Sequence, residues 1–354
     1  PAVPPIPFAD IPTRVAAYRS GRDAAADLHA VFDRIEDGGS NQTWISLLPR
    51  SLALELLEAA AERLSQGAHL PLFGIPFAVK DNIDVAGVPT TAACPDFAYL
   101  PQRSATVVER LIAAGAIPVG KTNLDQFATG LNGTRSPYGA PASVFDATRV
   151  SGGSSSGSAV AVARGLVPFS LGTDTAGSGR IPASFNNLVG LKPTKGLLSA
   201  ARVVPACRSL DCVSIFAASV ADAQLVAMIA AGYDAADPFS RHAPADVWTR
   251  TAPKALRIGI VDEKTLQRCS PAVAQRYRWA IETLTNQGAT AVAFDYAPFE
   301  EAASLLYAGP WVAERFAAIR DFAEPQPNSI HPVVRDIVLS ARNHSAADAF
   351  AAQY

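Results

Sequence analysis

VSGGSSSGSAVAVARGLVPFSLGTDTAGSGRIPASFNNLVGLKPTKG, residues 150–196, decides how this chain is read. It places one Gly/Ser turn before a helix-length AVAVA run, an apolar VPFSL strand after it, and a second Gly/Ser turn at the strand's end. A Gly/Ser tract alone is most often a flexible linker. A linker is not followed at once by a helix, a buried-looking strand and another serine-bearing turn, so two such turns flanking one helix–strand unit describe a site. A phosphate cradle is the obvious competitor, because glycine-rich turns offer backbone N–H groups to anions. No lysine follows the first turn as GxxxxGK[ST] requires, and neither turn carries GxGxxG, which argues against a nucleotide site.

Outward from this segment, short apolar runs alternate with helix-length stretches: IPFAV at 75–79, AIPV at 116–119 and LVPFSL at 166–171. That alternation predicts α/β architecture. Thr106-x-x-Glu109 reads as a capping box opening VVERLIAAG, which Gly115 ends, and Ser219-x-x-Asp222 as another opening a helix to Gly232. RIGIV at 257–261 and TAVAF at 290–294 read as strands, with a long helix between them from Ser270-Pro271 to Gln287-Gly288.

Upstream, residues 1–66 form a helical part. Val15, Ala16, Leu28, Val31, Phe32 and Ile35 recur among charges until Asp37-Gly38-Gly39, and an amphipathic helix over Ser51–Ser65 stops at Gly67. The α/β core begins at about residue 70. Proline-rich DPFSRHAP at 237–244 reads as a peripheral excursion within one domain spanning 1–354. The closing AADAFAAQY reads as the middle of an Ala-rich helix, so the C-terminal end of the domain is expected to be missing.

The 354 residues are 49% hydrophobic, with Lys+Arg 30 against Asp+Glu 32 and a net charge of -2. That balance argues against a nucleic-acid partner or a basic membrane-binding patch. No apolar stretch is long enough to span a bilayer, and PAVPPIPFADIPTRV lacks the basic-then-apolar order of a leader. Cys94, Cys207, Cys212 and Cys269 are too scattered for a disulfide framework and contain no CxxC pair, so a cytoplasmic location fits best. No His/Cys/carboxylate cluster suggests a metal, and no cofactor is expected.

A serine nucleophile needs a base. His29, His69, His242, His331 and His344 all lie outside the Gly/Ser region and read as surface or core fillers. Lys80 ends the apolar strand IPFAVK, where desolvation lowers an ammonium pKa from about 10.4 towards the working range. Taken alone, a lysine at a strand end more commonly snorkels.

GIPFAVKDN at 74–82, SGGSSSGSA at 151–159, GTDTAGSGRIPAS at 172–184 and GLKPT at 190–194 together resemble the amidase signature family. The resemblance implies a mixed, mostly parallel sheet flanked by helices on both faces. It also implies a Ser–cis-Ser–Lys triad: Ser178 as nucleophile, Ser154 bridging after a cis Gly153–Ser154 peptide, and Lys80 as base, with Ser155 and Ser156 only neighbours. Backbone N–H groups of Thr175, Ala176 and Gly177 then form an oxyanion hole. Asp174 and Arg180 hold that turn in place.

Within the family, DNIDVAGVPTTAACPDFAY, GKTNLDQFATGLNGTRSPYG, VVPACRSLDCVSIFA and LYAGPWVAERF resemble the members that hydrolyse allophanate, urea-1-carboxylate. Arg202 stands where that branch leads to a glycine before VVPAC. The resemblance puts Tyr307 and Arg315 on the substrate carboxylate and lets Gly130 of FATGLNG line the pocket; it also implies a functional link to urea carboxylase and a homodimer. From the residues alone, LLYAGPWVAERFAAI reads as one helix kinked near Pro310, with Arg315 facing solvent beside a packed Tyr307. Two alternatives stay open: another amidase of the same mechanism, malonamidase-like, acting on general small amides or serving within an amidotransferase; and a non-catalytic scaffold of this fold.

Overall fold

The computed structural model describes residues 10–38, 42–249, 251, 253 and 255–354. Gly39 of the expected helix stop, and residues 1–9 of the stretch read for a leader, lie outside these. The chain forms two compact units, Pro1–Ala243 with Ala313–Arg342, and Pro244–Val312 with Asn343–Tyr354. The division falls at the proline-rich DPFSRHAP segment.

The first unit opens with α1 (Ile11–Arg19) and α2 (Ala24–Asp37), each started by an aspartate, Asp10 and Asp23, whose carboxylate caps free N–H groups. There follow β1 (Trp44–Leu47), α3 (Arg50–Ser65), β2 (Pro76–Lys80), α4 (Thr106–Ala113), β3 (Ile117–Thr122), α5 (Ser156–Ala163) and β4 (Phe169–Thr173). Then come α6 (Arg180–Phe185), β5 (Val189–Leu191), β6 (Val213–Ala217) and α7 (Val220–Ala230).

The strands form one sheet in the order β1-β3-β2-β4-β6-β5. β2 runs parallel to β3 and to β4, β1 opposes β3, and β6 opposes both β4 and β5. β2, β3, β4 and β5 therefore point one way and β1 and β6 the other, a mixed sheet of the kind the resemblance implies. Every residue of β2, β3, β4 and β6 is buried, as expected of strands covered on both faces. Parallel neighbours β2 and β4 end in Lys80 and Thr173, so the carboxyl edge of the sheet delivers both to one place.

The second unit holds β7 (Arg257–Ile260), α8 (Glu263–Leu266), α9 (Pro271–Asn286), β8 (Thr290–Ala293) and α10 (Ala297–Ser304). β7 and β8 pair in parallel across the helical crossover. After α10 the chain returns to the first unit with α11 (Val312–Ala323) and α12 (Pro332–Leu339), and α13 (Ala346–Gln353) follows in the second. Ile319, Ala323, Val334 and Val338 of α11 and α12 pack on Phe127, Cys94 and Val204.

Two sequence expectations need correction. Thr106 is the first helical residue of α4 and caps nothing; Ala105 takes the cap position, and the Thr106 hydroxyl donates to Asp234 at 2.6 Å. The kinked helix is a break: α10 ends at Ser304, turns occupy 305–311, and α11 starts at Val312. Pro310 has no N–H to continue a helix, and a helix running into Gly309-Pro310 ends there.

Candidate active site

Lys80 has no solvent exposure. Its Nζ donates to Ser154 Oγ at 2.8 Å and to Thr173 Oγ1 at 2.7 Å. Neither partner carries charge. Burial therefore dominates and lowers the ammonium to about 7, although the carboxylates of Asp125, Asp211 and Asp174 pull the other way. An amine balanced in this way is available as a base near neutrality. None of the hydrogen bonds of Lys80, Ser154 and Ser178 involves a histidine.

Ser154 follows a cis peptide from Gly153 and stands just before the buried α5. Its neighbours face elsewhere: Ser155 Oγ donates to the Thr173 carbonyl at 3.1 Å, and Ser156 Oγ to the Asn123 carbonyl at 3.4 Å. The Ser155 N–H reaches the Ser178 carbonyl at 3.3 Å, which ties the two serine turns together. Ser178, nearly buried, directs its Oγ to the Gly130 carbonyl at 3.4 Å. Structure thus brings Lys80, Ser154, Ser178 and Gly130 together.

The turn before Ser178 is held by Asp174. Its carboxylate accepts from Gly177 N at 2.6 Å and from Arg180 Nε and Nη2 at 2.8 and 3.0 Å. Burial works to raise this carboxyl, but the Arg180 fork and the Gly177 amide hold it below the usual range. Asp174 and Arg180 are thus bonded to each other and to the turn that carries Ser178. For the oxyanion hole the outcome is divided. The Gly177 N–H is already engaged by Asp174, whereas the hydrogen bonds of the described residues leave those of Thr175 and Ala176 unused.

Asp125, unnoticed in the sequence, organises the opposite wall. Its carboxylate accepts from Gly133 N at 3.0 Å and Arg135 N at 2.9 Å, and its own N–H donates to the Ser154 carbonyl at 3.0 Å. A Cβ on Gly130 would fall 2.5 Å from that carboxylate, so only glycine fits this close approach. Thr173 was missed as well, although its place in GTDT at a strand end was the available signal.

Arg315 is 3% exposed, against the reading from residues alone that it faces solvent. Its Nη1 donates to Thr129 Oγ1 at 2.9 Å, one residue from the Gly130 carbonyl that meets Ser178. The break before α11 is the reason: α11 enters the first unit and carries Arg315 inward. Tyr307 lies in the turns before α11, in the second unit, and is 37% exposed.

Cys94 and Cys207 are pushed up by burial to about 11 and about 12, so neither supplies a thiolate at neutral pH. Arg202 adopts φ +60, the left-handed region that favours glycine, which accounts for the glycine expected there. Its loop keeps its bonding: the Arg202 carbonyl accepts from Asp84 N at 3.1 Å. Beside it a cavity of about 250 Å³ has Pro205, Arg208 and Asp211 in its wall. Among the described residues no group of three His, Cys, Asp or Glu could hold a metal, and no helix is long and apolar enough to cross a membrane.

The amidase family model matches residues 28–352. Urea amidolyase of Saccharomyces cerevisiae is 46% identical over 334 residues, which cover 92% of this chain and 18% of that protein. A glutamyl-tRNA(Gln) amidotransferase component of Chloroflexus aggregans is 43% identical over 71% of this chain and 52% of its own. The solved allophanate hydrolase of Kluyveromyces lactis superposes with a TM-score of 0.90 at 45% identity, over 96% of this chain and 56% of that one. The chain therefore spans under a fifth of the urea amidolyase and little more than half of the solved hydrolase.

Proposed function

This chain belongs to the amidase family, and on that premise we propose that it hydrolyses allophanate through a seryl acyl-enzyme. Neutral Lys80 takes a proton from Ser154, which takes one from Ser178 as Ser178 Oγ attacks the carbonyl of the terminal amide. The tetrahedral oxyanion faces the N–H groups of Thr175 and Ala176, and Gly177 joins them if Asp174 releases its amide. Ammonia leaves with the proton returned through Ser154. Water then attacks the acyl-serine, and the N-carboxycarbamate released breaks down to carbon dioxide and a second ammonia.

Buried Arg315 beside Thr129 and Gly130 carries the choice of allophanate. A guanidinium enclosed this close to the nucleophile rewards a substrate bearing a planar anion, because it forms two parallel charge-assisted hydrogen bonds to a carboxylate. A step that carboxylates urea must supply the substrate, and the name urea amidolyase of the S. cerevisiae relative supports that link. The second reading, a glutamyl-amide or general small-amide enzyme, is favoured by the Chloroflexus relative.

Ammonia release from allophanate and from biuret separates the two. The substrates differ at one group: biuret has a neutral amide where allophanate has its carboxylate. A strong preference for allophanate that collapses in Arg315→Ala is the expected result. Equal turnover of both substrates overturns this reading.

A further inference from the structure

Two carboxylates that touch no reacting atom tie the Arg315 side of the site to the turn before Ser178. Asp211 Oδ1 accepts from Thr175 Oγ1 at 2.5 Å and from Cys207 N at 3.1 Å, and its Oδ2 accepts from Ala206 N at 2.9 Å. Glu314 lies immediately before Arg315 on α11. Its Oε1 accepts from Ser209 N and its Oε2 from Ser209 Oγ, both at 2.6 Å.

The short loop Ala206–Asp211 is therefore gripped from two directions. α11 holds its middle through Glu314, while its end holds Thr175, the first residue of the oxyanion turn. Charge-assisted bonds of this kind are among the stronger ones a protein makes, and one that closes on both a backbone N–H and its own residue's hydroxyl fixes direction as well as distance. A displacement of α11 on carboxylate binding cannot leave Ser209, and with it Asp211 and Thr175, where they were.

We propose that Asp211 and Glu314 are positioning residues that couple occupation of Arg315 by a carboxylate to the alignment of the Thr175–Gly177 turn. The remote carboxylate is then used in the transition state and raises kcat, where a simple anchor lowers only KM. The inference rests on the reading of Arg315 as the carboxylate partner and of this turn as the oxyanion site.

The test measures kcat and KM on allophanate, together with acylation by p-nitrophenyl acetate, which has no carboxylate. Glu314→Gln and Thr175→Val should each lower kcat on allophanate by about tenfold while KM stays within about twofold. Thr175→Ser, which keeps the hydroxyl for Asp211, should restore most of the loss. The double variant Glu314→Gln/Thr175→Val should lose no more than the worse single one, because both cut one connection. Acylation by the ester should fall in Thr175→Val and hold in Glu314→Gln. Thermal melting of each variant reports whether it has folded.

Multiplying losses in the double variant, a change confined to KM, or equal losses of Glu314→Gln on both substrates would overturn the coupling. An unaltered protein that is acylated by the ester but releases no ammonia from allophanate overturns the substrate reading and the Glu314 half. The ester kinetics of Thr175→Val against Thr175→Ser then decide the Asp211 half alone.

Discussion

Lys80 and Lys121 lie in neighbouring strands, where Val79 is the register partner of Lys121 and Lys80 that of Thr122. Neither has solvent exposure, and desolvation lowers both. Their partners differ. Lys121 Nζ stands 3.0 Å from Asp81 Oδ1 and donates to Thr90 Oγ1 at 3.0 Å, while Asp81 Oδ2 is fixed by the N–H and hydroxyl of Thr91. Burial outweighs the carboxylates that pull the other way in both cases; Lys121 has Asp81 at contact distance, whereas Lys80 touches two hydroxyls, has its carboxylates further off and falls to about 7. Burial sets the penalty on charge, and the partner decides whether the charge survives it. One lysine thus has an anionic partner at contact distance, and its neighbour has only hydroxyls there.

The widest separation between the two should appear on replacing each by methionine. Lys80→Met should lose turnover by about a thousandfold or more while melting close to the unaltered temperature, since a buried amine whose contacts are two neutral hydroxyls is replaced by an apolar chain. Ammonia release and a melting curve check both halves, and a folded, active Lys80→Met protein would remove Lys80 from the mechanism. Mass spectrometry after a serine-directed acylating inhibitor should place the adduct on Ser178; finding it on Ser154 would reverse the serine roles.

Lys121→Met should behave in the opposite way. It leaves Asp81 buried without its cation, so the expected result is a loss of about 3–5 kcal/mol in stability by denaturant titration. Replacing Asp81 by leucine in the same chain should return part of that loss. A Lys121→Met protein as stable as the original would mean that the Lys121–Asp81 contact does not hold the fold.

Arg315→Ala should lower kcat/KM on allophanate by about ten- to two-hundredfold, the value of one hydrogen bond to a charged group, and change biuret hydrolysis little. Equal losses on both substrates would make Arg315 structural. The smallest expected effect is on pH dependence. Activity should rise as pH increases through about 7, because Lys80 is protonated below that value and a free base above it. The Thr173 hydroxyl accepts from the ammonium and so favours the charged form. Thr173→Val should move the rise to lower pH, and a move to higher pH would assign Thr173 a different role.

Local residue order was enough to find the strands ending in Lys80 and Thr173, because four- to six-residue apolar runs between helix-length segments have few other readings. β1, β5 and β6 were not seen. They are three to five residues long, and it is pairing with distant strands, Val213 with Thr173 for example, that makes them strands. Thr106 misled for a related reason: its hydroxyl had a better partner in Asp234, 128 positions away, than the end of its own helix.

The amino-acid sequence by itself determined the family and the α/β class and singled out Lys80, Ser154 and Ser178 as a candidate triad, since these rest on ordered motifs that chance does not assemble. The surroundings that suit Lys80 to act as a base were visible only in the tertiary structure, because they depend on which groups from β4 and the turn before α5 fill the space around Nζ. The same holds for Arg315, whose periodicity pointed to solvent until the break before α11 turned it inward to Thr129. Asp125, Asp211 and Glu314 carry no local signature at all. A carboxylate's role is fixed by the donors that surround it, and chain segments far apart in sequence supply those donors.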